Sequence, residues 1–111
     1  MKTYIKVNLQ VEGIHQREAC PLEDVGFLRS PHRHIFHISC MAEVGHNDRE
    51  IEIIRFKRAI LKYLHDKYGD YICEFDNMSC EMIATELVEQ FNLYSCEVLE
   101  DAENGAVVLT S

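Results

Sequence analysis

The chain has 111 residues, a formal net charge of −8 and a pI near 5.1, with 47% hydrophobic and 27% charged residues. That length suits one domain over residues 1–111 with a single modest core. The acidic balance argues against a nucleic-acid partner, because no basic stripe accompanies the Arg55–Lys57–Arg58 cluster, and no apolar run approaches the length of a membrane span.

Residues 4–12 alternate, with Ile5, Val7, Leu9 and Val11 on one side and Lys6, Asn8, Gln10 and Glu12 on the other. Period two predicts a half-buried strand, closed by His15. Residues 13–31 hold Gly, Pro and scattered charge without periodicity and read as a long loop. Loops of that length in small domains are more often functional than idle. A second strand follows over 33–44, where Phe36, Ile38, Cys40, Ala42 and Val44 share a face with His34. From about Glu50 to Tyr68 the period turns helical through Ile53, Phe56, Ile60 and Leu64. Residues 69–78 read as an irregular link. Ser79 then stands as an N-cap, with Glu81 in the first turn where the helix dipole favours a carboxylate. Cys80, Ile83, Ala84, Leu87, Val88 and Phe91 mark the buried face of that second helix. Two strands follow at 94–100 and 106–110, and Asn104-Gly105 between them is a hairpin signal.

The order β-β-α-α-β-β predicts an α+β fold: a four-stranded antiparallel sheet with both helices on one face. In so short a chain, a neighbouring subunit is the expected cover for the other face. The N-terminus enters the first strand with no apolar leader core, so neither export nor insertion is expected. Five cysteines, an odd number at wide spacing and without C-x-x-C, argue against a disulfide framework or a zinc ribbon and suit a reducing cytoplasm.

Four of the six histidines lie between positions 32 and 46. His32 and His34, two apart at a strand start, project from one face. His15, at the end of the preceding strand, is brought alongside by a hairpin. Three imidazoles on adjacent strands would make an open zinc site with a fourth position free. The same spacing also fits half-exposed surface residues. His37 falls on the opposite strand face, and His46 and His65 read as solvated.

The run V11-E-G-I-H15, a loop, H32-R-H34-I-F36, then R49-E-I-E52-I, N77-M-S79-C-E81 and V98-L-E100-D resembles the tunnelling-fold (T-fold) family of 6-pyruvoyl-tetrahydropterin and 6-carboxytetrahydropterin synthases. The match covers nearly the whole chain and rests on the order of short motifs. The resemblance implies that His15, His32 and His34 are zinc ligands and that Glu100 anchors a pterin or purine ring. A carboxylate can accept two parallel N–H bonds from a 2-amino-pyrimidinone edge, although Glu100 also fits a solvated residue near a hairpin. Ser79 and Glu81 match the family's Thr and Glu, and capping alone also explains Ser79. A trimer or hexamer, forming an oligomeric barrel with pockets between subunits, is implied as well.

The departures fall on the chemistry. The family's catalytic Cys lies four residues before the first His of its H-x-H motif, and Leu28 stands there in this chain. The Gly between the two histidines is Arg33. The family's Asp-His pair after the first helix is missing: Tyr68-Gly69 stand near that place, and His65-Asp66 are reversed and early. Cys20 and His65 are the remaining candidates for acid-base work. Three readings follow. The first is a non-catalytic protein that sequesters or senses a purine-like, pterin-like or nucleotide-derived ligand, with Arg29, Arg33 and Arg55 as candidate phosphate or ribose partners. The second is a diverged zinc enzyme, and the third is a structural oligomer.

Overall fold

The computed structural model describes residues 1–111. Strand β1 (Thr3–His15) and strand β2 (His32–Val44) form a long antiparallel pair in unbroken register from Thr3↔Val44 to His15↔His32. The alternation in sequence sets the faces. Val7, Leu9 and Val11 of β1, with Phe36, Ile38, Cys40 and Ala42 of β2, are buried on one side. Helix α1 (Ile53–Tyr68) and helix α2 (Cys80–Phe91) cover that side. Helix α1 packs over β1 and α2 over the last two strands, β4 (Ser95–Glu100) and β5 (Asn104–Leu109). Ile60, Leu64, Ile83, Ala84 and Leu87 complete one continuous core with the strand residues.

Both helix starts are capped by side chains. The Ser79 hydroxyl accepts the Met82 N–H at 3.2 Å, as expected. Helix α1 starts later than the apolar period suggests, because the Glu52 carboxylate accepts from Ile54 N and Arg55 N and holds Glu52 outside the helix.

The sheet corrects the expected four antiparallel strands. It has five, in the order β3-β1-β2-β4-β5. Strand β3 (Cys73–Asp76) lies within the stretch read as an irregular link and runs parallel to the end of β1. Its Cys73 and Phe75 are buried, and this apolar burial makes the short strand part of the core. The loop after β1 is partly ordered as a 3₁₀ segment, Glu23–Arg29, and strand structure extends to His15 on one side of it and begins at His32 on the other.

The hairpin turn is also displaced. Glu100 pairs with Asn104, so the loop is Asp101-Ala102-Glu103, with positive φ at Asp101 and Ala102. Asn104-Gly105 lies inside β5. Gly105 is needed there for close approach, since a Cβ would collide with the Val98 carbonyl oxygen.

Candidate functional site

The site grows from the end of the β1–β2 pair. His34 stands opposite Gly13, and His32 opposite His15, so the period-two alternation sends all three imidazoles to the helix-covered face. Their rings meet edge to face, with centroids 4.6 Å apart for His15–His32, 5.0 Å for His32–His34 and 5.3 Å for His15–His34. Phe36 packs edge-on against His15 and His34 and in turn touches Phe75. One potential ligand nitrogen from each histidine lies within 4.8 Å of the other two, so the group could hold a metal ion.

Hydrogen bonding fixes the tautomers. His15 Nδ1 is 2.8 Å from Met78 O, His32 Nδ1 is 2.9 Å from Ser30 O, and His34 Nδ1 is 2.7 Å from Asp101 Oδ2. Each partner is an acceptor only, so each Nδ1 donates its proton and each Nε2 presents a lone pair in the neutral ring. This is the orientation that an acceptor bonded to the far ring nitrogen imposes on a metal-binding histidine. His15 Nε2 and His34 Nε2 are buried without a hydrogen-bond partner. A buried polar atom left unpaired is costly, and an ion between the rings would remove that cost. The donor set fits zinc.

Two carboxylates border the histidines. Glu100 Oε2 is 3.0 Å from His15 Nε2 and Oε1 is 3.5 Å from His34 Nε2, although neither contact has hydrogen-bond geometry. Asp101 accepts from His34 with one oxygen and from the Ile35 N–H, at 3.0 Å, with the other. The His34 bond first, then the Ile35 N–H, holds its carboxyl below the usual aspartate range. Cys80 Sγ donates to Glu100 Oε2 at 3.7 Å, and burial, reinforced by the Glu100 charge, pushes the thiol up to about 12. Cys80 is therefore a protonated thiol at neutral pH.

Beside the histidines lies a cavity of about 340 Å³ whose wall includes His15, His32, Arg17, Leu28, Ser79, Cys80, Glu81 and Glu100. Ser79 and Glu81 reach it because the α2 N-terminus follows directly on β3. Leu28 reaches it because the Arg17 N–H donates to Leu28 O at 2.6 Å, pulling the loop over the site. The Glu81 side chain is exposed.

The whole-chain architecture has close counterparts among solved structures. The 6-pyruvoyl tetrahydropterin synthase of Caenorhabditis elegans superposes with a TM-score of 0.65 at 14% identity, over 100% of this chain and 97% of that one. An uncharacterised protein from Wolinella succinogenes superposes with a TM-score of 0.68 at 15% identity, over 100% of this chain and 99% of that one. The fold is the tunnelling fold. No protein-family model matches the sequence, and no curated protein is significantly similar to it.

Within this tunnelling-fold chain, His15, His32, Ser79, Glu81 and Glu100 border the cavity, with His34 against them. The other expected residues stand apart. Arg33 lies on the opposite sheet face, paired with Glu12 at 3.1 Å. Arg29 binds the Cys20 carbonyl at 2.8 Å and Glu23 at 2.9 Å, locking the loop. Arg55 sits in the first turn of α1. None of the three lines the cavity. Cys20 is buried beneath its own loop, and its thiol faces Leu22 O at 3.9 Å. His65, read as solvated, is half-buried; its Nδ1 donates to Gly69 O at 2.8 Å and closes the end of α1.

Three residues were not singled out by the sequence. Arg17 supplies the cation in the cavity wall, Cys80 supports Glu100, and Asp101 orients His34. Asp101 had a signal: it directly follows Glu100, at the end of the strand that pairs with the H-x-H strand.

Proposed function

We propose that this protein binds a divalent metal ion, zinc by its donor set, through His15, His32 and His34, and holds a planar heterocyclic ligand in the adjoining cavity without synthase chemistry. The ligand class is purine-like, pterin-like or nucleotide-derived, and the role is sequestration or sensing. One observation carries the reading: three imidazole lone pairs converge at a cavity in which Leu28 occupies the place expected for an acid-base thiol. Leu28 can neither give nor take a proton, and in this protomer Cys20 and His65 are turned to other partners.

The roles divide as follows. His15, His32 and His34 hold the ion, which when bound would satisfy the orphaned nitrogens and neutralise the Glu100 charge. Glu100 faces the histidines, so Glu81 is the carboxylate free to accept paired N–H bonds from a ring edge. Ser79 adds a hydroxyl, and Arg17 is the cation for a phosphate or carboxylate substituent. A trimer or hexamer that completes the pocket between subunits is part of the proposal. The sheet supports it by leaving β5 and the Thr3–Glu12 stretch of β1 each with an edge unpaired by any strand. Five unpaired cysteines suit a reducing cytoplasm.

The test has two arms. Purified protein is expected to carry close to one zinc per subunit, lost in a His32→Ala/His34→Ala variant. Calorimetry against purines, pterins and cyclic nucleotides is expected to find saturable binding, and dihydroneopterin triphosphate is expected to give no product. Turnover that vanishes in Cys20→Ala would replace this reading with that of a diverged enzyme. Absence of both metal and ligand would leave a structural oligomer.

A further inference from the structure

Glu100 borders the cavity, where it could anchor a ring, but its carboxylate also faces the histidines. It is the last residue of β4, directly opposite Phe36 in the sheet, and its carboxylate turns toward the histidines. With Nδ1 of each ring donating elsewhere, His15 Nε2 and His34 Nε2 offer lone pairs, and the carboxylate oxygens also have only lone pairs to offer. In neutral rings, these two sets of lone pairs at 3.0 and 3.5 Å, outside hydrogen-bond geometry, repel each other, and either a proton on a ring or a metal ion between them relieves it. The shorter spacing also fits a shared ion. A tetrahedral site with bonds of about 2.0–2.1 Å has ligand-to-ligand edges of roughly 3.3 Å, and the 3.0 Å separation of His15 Nε2 from Glu100 Oε2 is close to that length, with Oε2 as the ligating oxygen.

We infer that Glu100 is a fourth protein ligand, which closes the histidine site into a His₃Glu centre. This rests on the metal reading proposed above and goes beyond it. A site with four protein ligands is a closed, structural one, with no position left for substrate or activated water. Glu100 is held for the role, since its strand is hydrogen-bonded on both sides and Cys80 Sγ donates to Oε2 at 3.7 Å. The closed centre would pin β1, β2 and β4 together where they meet, leaving ligand recognition to the Glu81 side of the cavity.

The test uses the full chain loaded with Co²⁺ as a visible stand-in for zinc. The wild-type d–d bands are expected to be those of a four-coordinate ion and to be unmoved by azide. In Glu100→Gln, which keeps shape but lowers ligand strength, the bands are expected to shift and become azide-sensitive. Chelator competition is expected to show an affinity loss of about 100-fold or more, at or above the top of the range for losing an outer-shell partner. Glu100→Asp, which keeps the charge on a shorter arm, is expected to fall between the two, and circular dichroism reports whether each variant folds. Azide-sensitive wild-type bands, with affinity unchanged in Glu100→Gln, would overturn the fourth-ligand assignment while leaving the three-histidine site intact. Wild-type protein that takes up neither Co²⁺ nor Zn²⁺ would overturn the metal reading itself.

Discussion

Asp101 Oδ2 accepts the Nδ1 proton of His34 at 2.7 Å, while its Oδ1 accepts the Ile35 N–H. A hairpin residue thus sets the ring orientation of a histidine on a different strand. Asp101→Asn is expected to leave the fold intact and weaken zinc binding about 10- to 100-fold, the usual cost of a lost outer-shell carboxylate. Competition with a chromogenic chelator measures it. Unchanged affinity would show that His34 does not depend on this partner.

Gly13 has no room for a side chain. A Cβ there would sit 2.7 Å from Phe75 Cε2 and 2.8 Å from Phe36 Cε2. Both rings are fully buried, and Phe36 supports His15 and His34 from below. Gly13→Ala is expected to cost about 1–3 kcal/mol, the typical cost of overpacking, and to lower metal affinity in the same variant. Urea denaturation and metal titration read the two effects separately.

A metal ion held at the orphaned nitrogens, as proposed, would be linked to folding, because the histidines converge only in the folded chain. Free zinc at one hundred times its dissociation constant is expected to stabilise the protein by about 2.7 kcal/mol. A chelator should remove that gain, and the His32→Ala/His34→Ala variant should not show it. Thermal midpoints across a zinc series give the answer.

All five cysteines are buried and unpaired. Burial pushes Cys73 up to about 11 and, with Glu100, Cys80 up to about 12. A thiol-specific disulfide reagent at pH 8 is expected to react slowly with the native protein and to titrate five thiols in denaturant. Fast native reaction at Cys80 would mean that the cavity wall opens.

Lys67 and Tyr68, at the end of α1, both reach Glu86 on α2, with Lys67 Nζ 2.5 Å from Oε1 and the Tyr68 hydroxyl donating to Oε2. The Glu86 bond raises the lysine above its ordinary 10.5. Burial, then Glu86, raises the tyrosine above its ordinary 10.0. Both groups hold their protons more tightly when folded, so their stabilising contribution is complete below those ordinary values and drains away as pH climbs past them. Urea midpoints are expected to fall above about pH 10, and Glu86→Gln is expected to flatten that fall.

The long elements were legible because each buries one face and repeats at its own period. Strand β3 was not. Cys73-Glu74-Phe75-Asp76 is too short for periodicity to register, and it pairs in parallel with residues about sixty positions away. The hairpin was misplaced because Asn-Gly is a strong turn signal, whereas here Gly105 serves close packing and Asp101 and Ala102 take the positive φ angles. The three histidines could be grouped from spacing alone. Charge alone points to the arginines, although strand parity already separates Arg33 from His34, its immediate neighbour. Arg17 and Cys80 reach the cavity only through the path of the loop and the seating of α2, which no local pattern reports.

The unpaired edges of β1 and β5 are unlike one another, one long and lysine-bearing, the other short with Val107 and Leu109 exposed. A copy that joins another by matching these edges does so head to tail, and each addition leaves one of each kind open again. Growth of such a unit ends only when the accumulated twist and curvature bring the last edge round to the first. In an assembly joined this way, the sheet's curvature would set the number of copies in a closed ring, and a change that flattens the sheet would favour an open filament instead.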